Sequence, residues 1–222
     1  MTMGRPLALA LVAACWVLPA SGQYNLPTPN AAVPPSRPLS EVDQSREMLN
    51  QYGYCVMIQN FGSTRRALAL PDDAAVERAL MKLTTNDCLF AGQLKMSPAL
   101  LRGAVYRAMY IHDFSYLSQT MRAAVTPASG QPGEEVDAAP STMFGGCVAK
   151  LAPTATRDFV MASAATPEEN KALAGLASAL ADCLPPKQEM RLSRWGLQAT
   201  LAEAVYKRTV AQIDKTKALG AK

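Results

Sequence analysis

Four cysteines, Cys55, Cys88, Cys147 and Cys183, are the residues whose type and spacing most directly promise chemistry. Structural zinc wants Cys-x-x-Cys pairs or clustered histidines, whereas these thiols stand alone in a chain with one histidine. A redox centre is disfavoured for the same reason, because no Cys-x-x-Cys exists to lower a thiol pKa. With the fifth cysteine, Cys15, inside the N-terminal apolar run expected to be removed, the remaining even number reads instead as disulfides, with three pairings open to four residues.

A repeated pattern chooses among them. Asp87-Cys88-Leu89, followed by Leu94 to Ser97 and then Tyr110, returns as Asp182-Cys183-Leu184, followed by Met190 to Ser193 and then Tyr206. Upstream, Cys55-Val56 precedes Thr64-Arg65 as Cys147-Val148 precedes Thr156-Arg157, and Pro71-Asp72-Asp73 is echoed by Pro167-Glu168-Glu169. The chain reads as two tandem copies, so Cys55 is expected to pair with Cys88 and Cys147 with Cys183. Each bond closes a loop of about 35 residues, worth up to ~4 kcal/mol in the chain-entropy account.

Other candidates for chemistry are weaker. His112 with Asp113 beside it suggests a general base. Neighbours in sequence point apart on a helix, however, and the second copy carries Arg208 at the matching place. No Gly-x-Ser-x-Gly elbow presents a serine, no glycine-rich loop cradles a phosphate, and no Cys-x-x-Cys-His attaches a haem. The paired acids Asp72/Asp73, Glu134/Glu135 and Glu168/Glu169 resemble glycosidase carboxylates in composition only. Two pairs open helices, where negative charge suits the dipole, and one lies in a linker. Arg65 and Arg157, each ten residues after a matched cysteine, read as ion-pair struts between helices rather than anion ligands. Tyr110 and Tyr206 occupy matched places away from the apolar stripes of their helices, and mark either a contact between the copies or a binding face. The reading assigns no catalytic residue, no metal ligand and no cofactor.

Helices must position these groups. Ala, Leu and Met exceed Ile, Phe and Trp, which favours an all-α class. Ser40 with Asp43 forms a capping box for a helix carrying Val42, Leu49, Tyr52 and Val56 on its apolar side. A short helix is expected over 64–70, then one opening at Pro71 and running to Cys88. Ser97-Pro98 starts a helix with a Leu101, Ala104, Val105, Ala108 stripe, ending near His112-Asp113. In the second copy the expected helices cover 153–162, 167–183 from a Thr166 cap, and Ser193 to Lys215. The domain reading is therefore a signal peptide at 1–22, a proline-rich disordered arm at 23–39, helical repeat 1 at 40–118, a linker at 119–143, repeat 2 at 144–215 and a basic, frayed tail at 216–222.

Residues 1–22 have the form of a secretory signal, with Arg5, an apolar run from Leu7 to Leu18, and small residues before a cut at Gln23. Periplasmic or secreted placement follows, with lipid anchoring through Cys15 as the alternative. The apolar run is short for a bilayer and no later stretch is longer, so no transmembrane segment is expected in the mature chain. The net charge of +4 is spread along the sequence without a basic stripe, which argues against a nucleic-acid partner.

The assembled Cys-Val, Thr-Arg, Pro-acid-acid, Asp-Cys-Leu, Ser and Tyr pattern resembles exported, cysteine-paired helical proteins of alphaproteobacteria over about residues 50 to 210. That resemblance implies no activity, ligand or catalytic residue. The expectation is a non-enzymatic binding or structural module of the cell envelope, its partner an envelope protein, a polymer or a second copy of itself. The competing expectation is a hydrolase of an envelope polymer or other extracellular substrate acting through carboxylates.

Overall fold

The computed structural model describes residues 38–89, 94–116, 140–184 and 192–220. Among them are eight α-helices and no strand: α1 (Glu41–Gln59), α2 (Phe61–Leu68), α3 (Asp73–Met81), α4 (Pro98–Phe114), α5 (Pro140–Leu151), α6 (Pro153–Met161), α7 (Pro167–Asp182) and α8 (Arg194–Gly220). The signal peptide with Cys15, nearly all of the proline-rich arm, most of the linker with Glu134 and Glu135, and the last two residues lie outside the described part.

The helix starts follow from their caps. The Ser40 hydroxyl accepts from the amide of Asp43, Ser97 from that of Leu100, and Thr166 from that of Glu169. Each satisfies a donor that the first turn leaves unpaired. Several boundaries differ from expectation, and α2 covers Phe61–Leu68 rather than 64–70. Asp72 caps α3 by accepting from the Ala75 amide, which leaves Pro71 outside the helix. That helix ends at Met81 rather than Cys88, because Thr84 bonds back to the Met81 carbonyl and Thr85 caps a separate 3-10 turn, Asn86–Cys88. Hydroxyl side chains compete with the helix for its own backbone groups. Helix α5 starts inside the stretch expected to be linker, and α8 carries the expected tail as helix to Gly220.

Helix α4 is the centre of the packing. It lies against α1, α3 and α8, and from Leu101 to Tyr110 only Arg107 is not fully buried. An element apolar nearly all round belongs in a core. Small residues let its neighbours approach. A Cβ placed on Gly53 of α1 would sit 2.8 Å from the Ala104 Cβ, and one on Gly103 would overlap Ala199 of α8. Gly145 brings α5 equally close to α8, at 2.8 Å from Thr200. Val42, expected on the apolar side of α1, is exposed instead, since α1 begins beyond the reach of the core.

The disulfides pair Cys55 with Cys88 and Cys147 with Cys183, at Cα separations of 5.6 and 5.8 Å. Polar ties also join the N-terminal helices to the C-terminal ones, two of them at α1 and α4. Arg46 of α1 and Glu169 of α7 form an ion pair with both side chains removed from water. The Arg107 guanidinium donates to the carbonyls of Val160, at 2.8 Å, and Ala162, at 3.1 Å, finishing the end of α6. Among the described residues no helix is long and apolar enough to cross a membrane.

Candidate functional site

Helices α4 and α8 begin in matching fashion after Ser97 and Ser193, but α4 has 17 residues and α8 has 27. The ten extra residues of α8 (27 less 17) run on past the end of α4 for roughly 15 Å at the rise of a helix. A groove of about 620 Å³ opens where the C-terminal turns of α2 and α4 meet this overhang.

Aromatic rings make one wall. Tyr206 stacks obliquely on Tyr106 and Phe114, with ring centroids 5.6 and 5.8 Å away. Tyr116 stands at the rim, 77% exposed. Val210 and Ile213 of α8 continue the Tyr206 face one and two turns further on, with Asp214 and Lys217 exposed on the last of these turns.

Asp113, at the last turn of α4, ties the surrounding helices together. It accepts from the Arg65 guanidinium of α2 at 3.0 Å and from the Tyr206 hydroxyl at 3.3 Å. His112 Nδ1 lies 2.9 Å from its other oxygen. The last contact corrects the expectation that these neighbours point apart. The His112 ring folds over Phe61 of α2 at the helix end, where the carboxylate can reach it. His112 itself does not line the groove.

The electrostatics follow this geometry. Burial pushes the Tyr206 phenol up to about 12, with the nearby Asp113 charge acting in the same sense. Tyr106 is raised as well, again chiefly by burial and then by Glu203. The hydrogen bond to Asp113 raises Arg65. Lys207, 5.7 Å over the Tyr106 ring, is held by Glu203 at 2.6 Å. Glu203 in turn meets Arg102, which also pairs with Asp73 at 3.0 Å and Glu77 at 3.2 Å. The more enclosed carboxylate of the groove is thus occupied by Arg65, Tyr206 and His112. The arrangement offers stacking surface and hydrogen bonding rather than a carboxylate poised to take a proton.

The other singled-out residues fall in several places. Tyr110 is buried beside Phe114, at a centroid distance of 5.2 Å. Arg65 makes the expected strut, whereas the partner of Arg157 among the described residues is Asp158 in its own helix at 3.3 Å. Asp72 is an exposed cap, whereas Glu169 is fully buried, against the expectation of a solvated acid at a helix start. It is enclosed because α1 lays Arg46 across it. Among the described residues no three His, Cys, Asp or Glu side chains gather as metal ligands would. Sequence reasoning missed Asp113 as a junction, and Tyr106, Phe114 and Tyr116 as a wall. The one available signal was an aromatic residue recurring every few positions through the end of α4. No family model, curated protein or solved structure matches this chain.

Proposed function

We propose that this chain is a non-enzymatic binding module of the cell envelope, exported to the periplasm or beyond, whose groove between α2, α4 and the α8 overhang receives its partner. The carrying observation is an exposed aromatic rim above a carboxylate that is already fully engaged. Such a surface suits recognition, where aromatic side chains contribute much of the contact energy. Two disulfides support an oxidising compartment.

The module is built as two tandem copies of one disulfide-stapled helical unit. Support comes from the glycines. Gly145 follows Gly53 by the same offset as Cys147 follows Cys55, and Thr200 follows Ala104 as Tyr206 follows Tyr110, so Gly53 on Ala104 and Gly145 on Thr200 are equivalent contacts. Gly103 and Ala199 are equivalent positions and meet each other, as residues beside a two-fold axis do. The copies have diverged: α3 packs on α4, whereas α6 rather than α7 packs on α8.

The test uses Tyr116, whose exposure lets it be truncated without loss of core. Tyr116→Ala should melt with the wild-type protein, yet lose most of the material that co-purifies from the envelope fraction. Capture indifferent to Tyr116, or polymer hydrolysis in a zymogram that Asp113→Asn abolishes in a folded protein, would favour the hydrolase instead.

A further inference from the structure

Charge is sorted on the two sides of α3. Asp73 and Glu77 turn toward α4, where Arg102 holds both at 3.0 and 3.2 Å. Arg78 and Lys82 face the other way, across a trough of about 460 Å³ from Arg66 of α2. The floor between the three cations is apolar, formed by Leu70, Ala79, Leu83 and smaller side chains, and no carboxylate among the described residues lines it. Leu70 is 39% exposed at the edge.

Two of the cations meet no neutralising carboxylate among the described residues. Arg66 donates to the Ser63 hydroxyl, and among the described residues neither Arg66 nor Lys82 meets a carboxylate within 4.0 Å. Arg78 approaches Asp72 at 3.7 Å, but both are well exposed, so water and salt screen the pair. The corresponding trough between α6 and α7 lacks this character, because Asp158 and Glu168 line it beside Lys171. The basic rim is thus particular to α2 and α3 and does not follow from the architecture.

We propose that the α2–α3 trough docks on an anionic phospholipid surface, its three cations meeting headgroup phosphates while Leu70 enters the acyl boundary. The occupant must satisfy cations and an apolar floor together. A single-stranded nucleic acid would call for aromatic stacking surface, and none of the described residues lining the trough is aromatic. Lysines and arginines near an anionic leaflet each add to binding, and their attraction fades with added salt. This docking is independent of the groove beside α8, and either reading can fail alone.

The test is co-sedimentation of the whole protein with extruded vesicles, either phosphatidylcholine alone or phosphatidylcholine with phosphatidylglycerol. Wild type should sediment with the anionic vesicles at low salt, and leave them at high salt or when phosphatidylglycerol is omitted. Arg66→Glu with Lys82→Glu should weaken binding by about tenfold or more, since two local charges are reversed. Lys171→Glu with Lys215→Glu makes the same change of net charge on exposed positions elsewhere and should leave binding within about twofold of wild type. Absence of binding to anionic vesicles, equal losses in the two double variants, or equal binding to neutral vesicles would overturn the proposal. So would a thermal shift with inorganic phosphate that Arg66→Glu removes, in a protein that ignores vesicles, since the trough would then hold a small anion rather than a membrane.

Discussion

A guanidinium taken out of water is costly unless its charge is met, and the charge of Arg46 is met twice. Asp43 lies 2.9 Å from it within α1, and Glu169 closes on it from α7. Asp43 titrates below its usual range, first through the Ser40 hydroxyl and then through Arg46 itself. Glu169 also accepts from the amide of Ala165, a non-glycine residue at a positive φ of 56°. One carboxylate therefore balances a buried cation, holds a left-handed turn and closes the capping arrangement with Thr166. Glu169→Gln should cost on the order of 3 to 5 kcal/mol, because it leaves Arg46 buried with too little negative charge. In urea melts, Arg46→Met combined with Glu169→Leu should recover much of that loss, as apolar side chains of similar volume commonly do. A single Gln variant as stable as wild type would mean the pair is open to water. The Thr166 cap and the acid three residues on are readable in the sequence. The burial of that acid is not, because it depends on α1 arriving from far along the chain.

At the level of helices, the decisive feature is how closely α4 and α8 cross. Their caps, their apolar stripes and their starting points were legible, since each follows from a local signal such as Ser97-Pro98 or Ser193. The early end of α3 was not read, although Thr84, Thr85 and Asn86 carry the side chains that end helices. The crossing itself leaves no local mark: Gly103 lies mid-helix, where glycine lowers stability unless packing requires it. Here packing does, because a Cβ would overlap the backbone of Ala199. Gly103→Val should then force the two central helices apart and cost several kcal/mol, above the usual ~1 to 3 for overpacking, since backbone must move. Gly196→Ala, in the first turns of α8 with only ordinary contacts at 3.5 Å, should instead stabilise by up to about 1 kcal/mol. Chemical denaturation of the two variants checks both signs. Equal tolerance of both would show that the helices cross more loosely than this. The same dependence on placement hid the α2–α3 trough, since Arg66, Arg78 and Lys82 form no run in the sequence and become neighbours only when the two helices lie side by side.

For the molecule as a whole, local staples and long-range ties pull the cooperativity in opposite directions. Each disulfide closes a loop inside one half of the chain, with sequence separations of 33 and 36, and the matched motifs allowed both pairings to be read in advance. Judged by the staples alone, the halves could melt separately. The central α4–α8 crossing, the Arg46–Glu169 pair and the Arg107 bonds to α6 all run between halves, and the described residues belong to one compact unit. Neither half can expose its share of these contacts without leaving buried charge and backbone unpaired in the other. Unfolding should therefore be a single transition, and removing one staple should destabilise both halves. Loss of about 4 kcal/mol from the Cys147→Ser/Cys183→Ser double variant corresponds to a fall of roughly 10 °C in Tm for a chain of this size. Hydrogen exchange should report the same loss in α1, whose own disulfide is intact, as in α7. If protection in α1 and α4 stayed at the wild-type level while α5 to α7 exchanged freely, the halves would be independent units, and the buried pair between them would contribute little to holding the fold together.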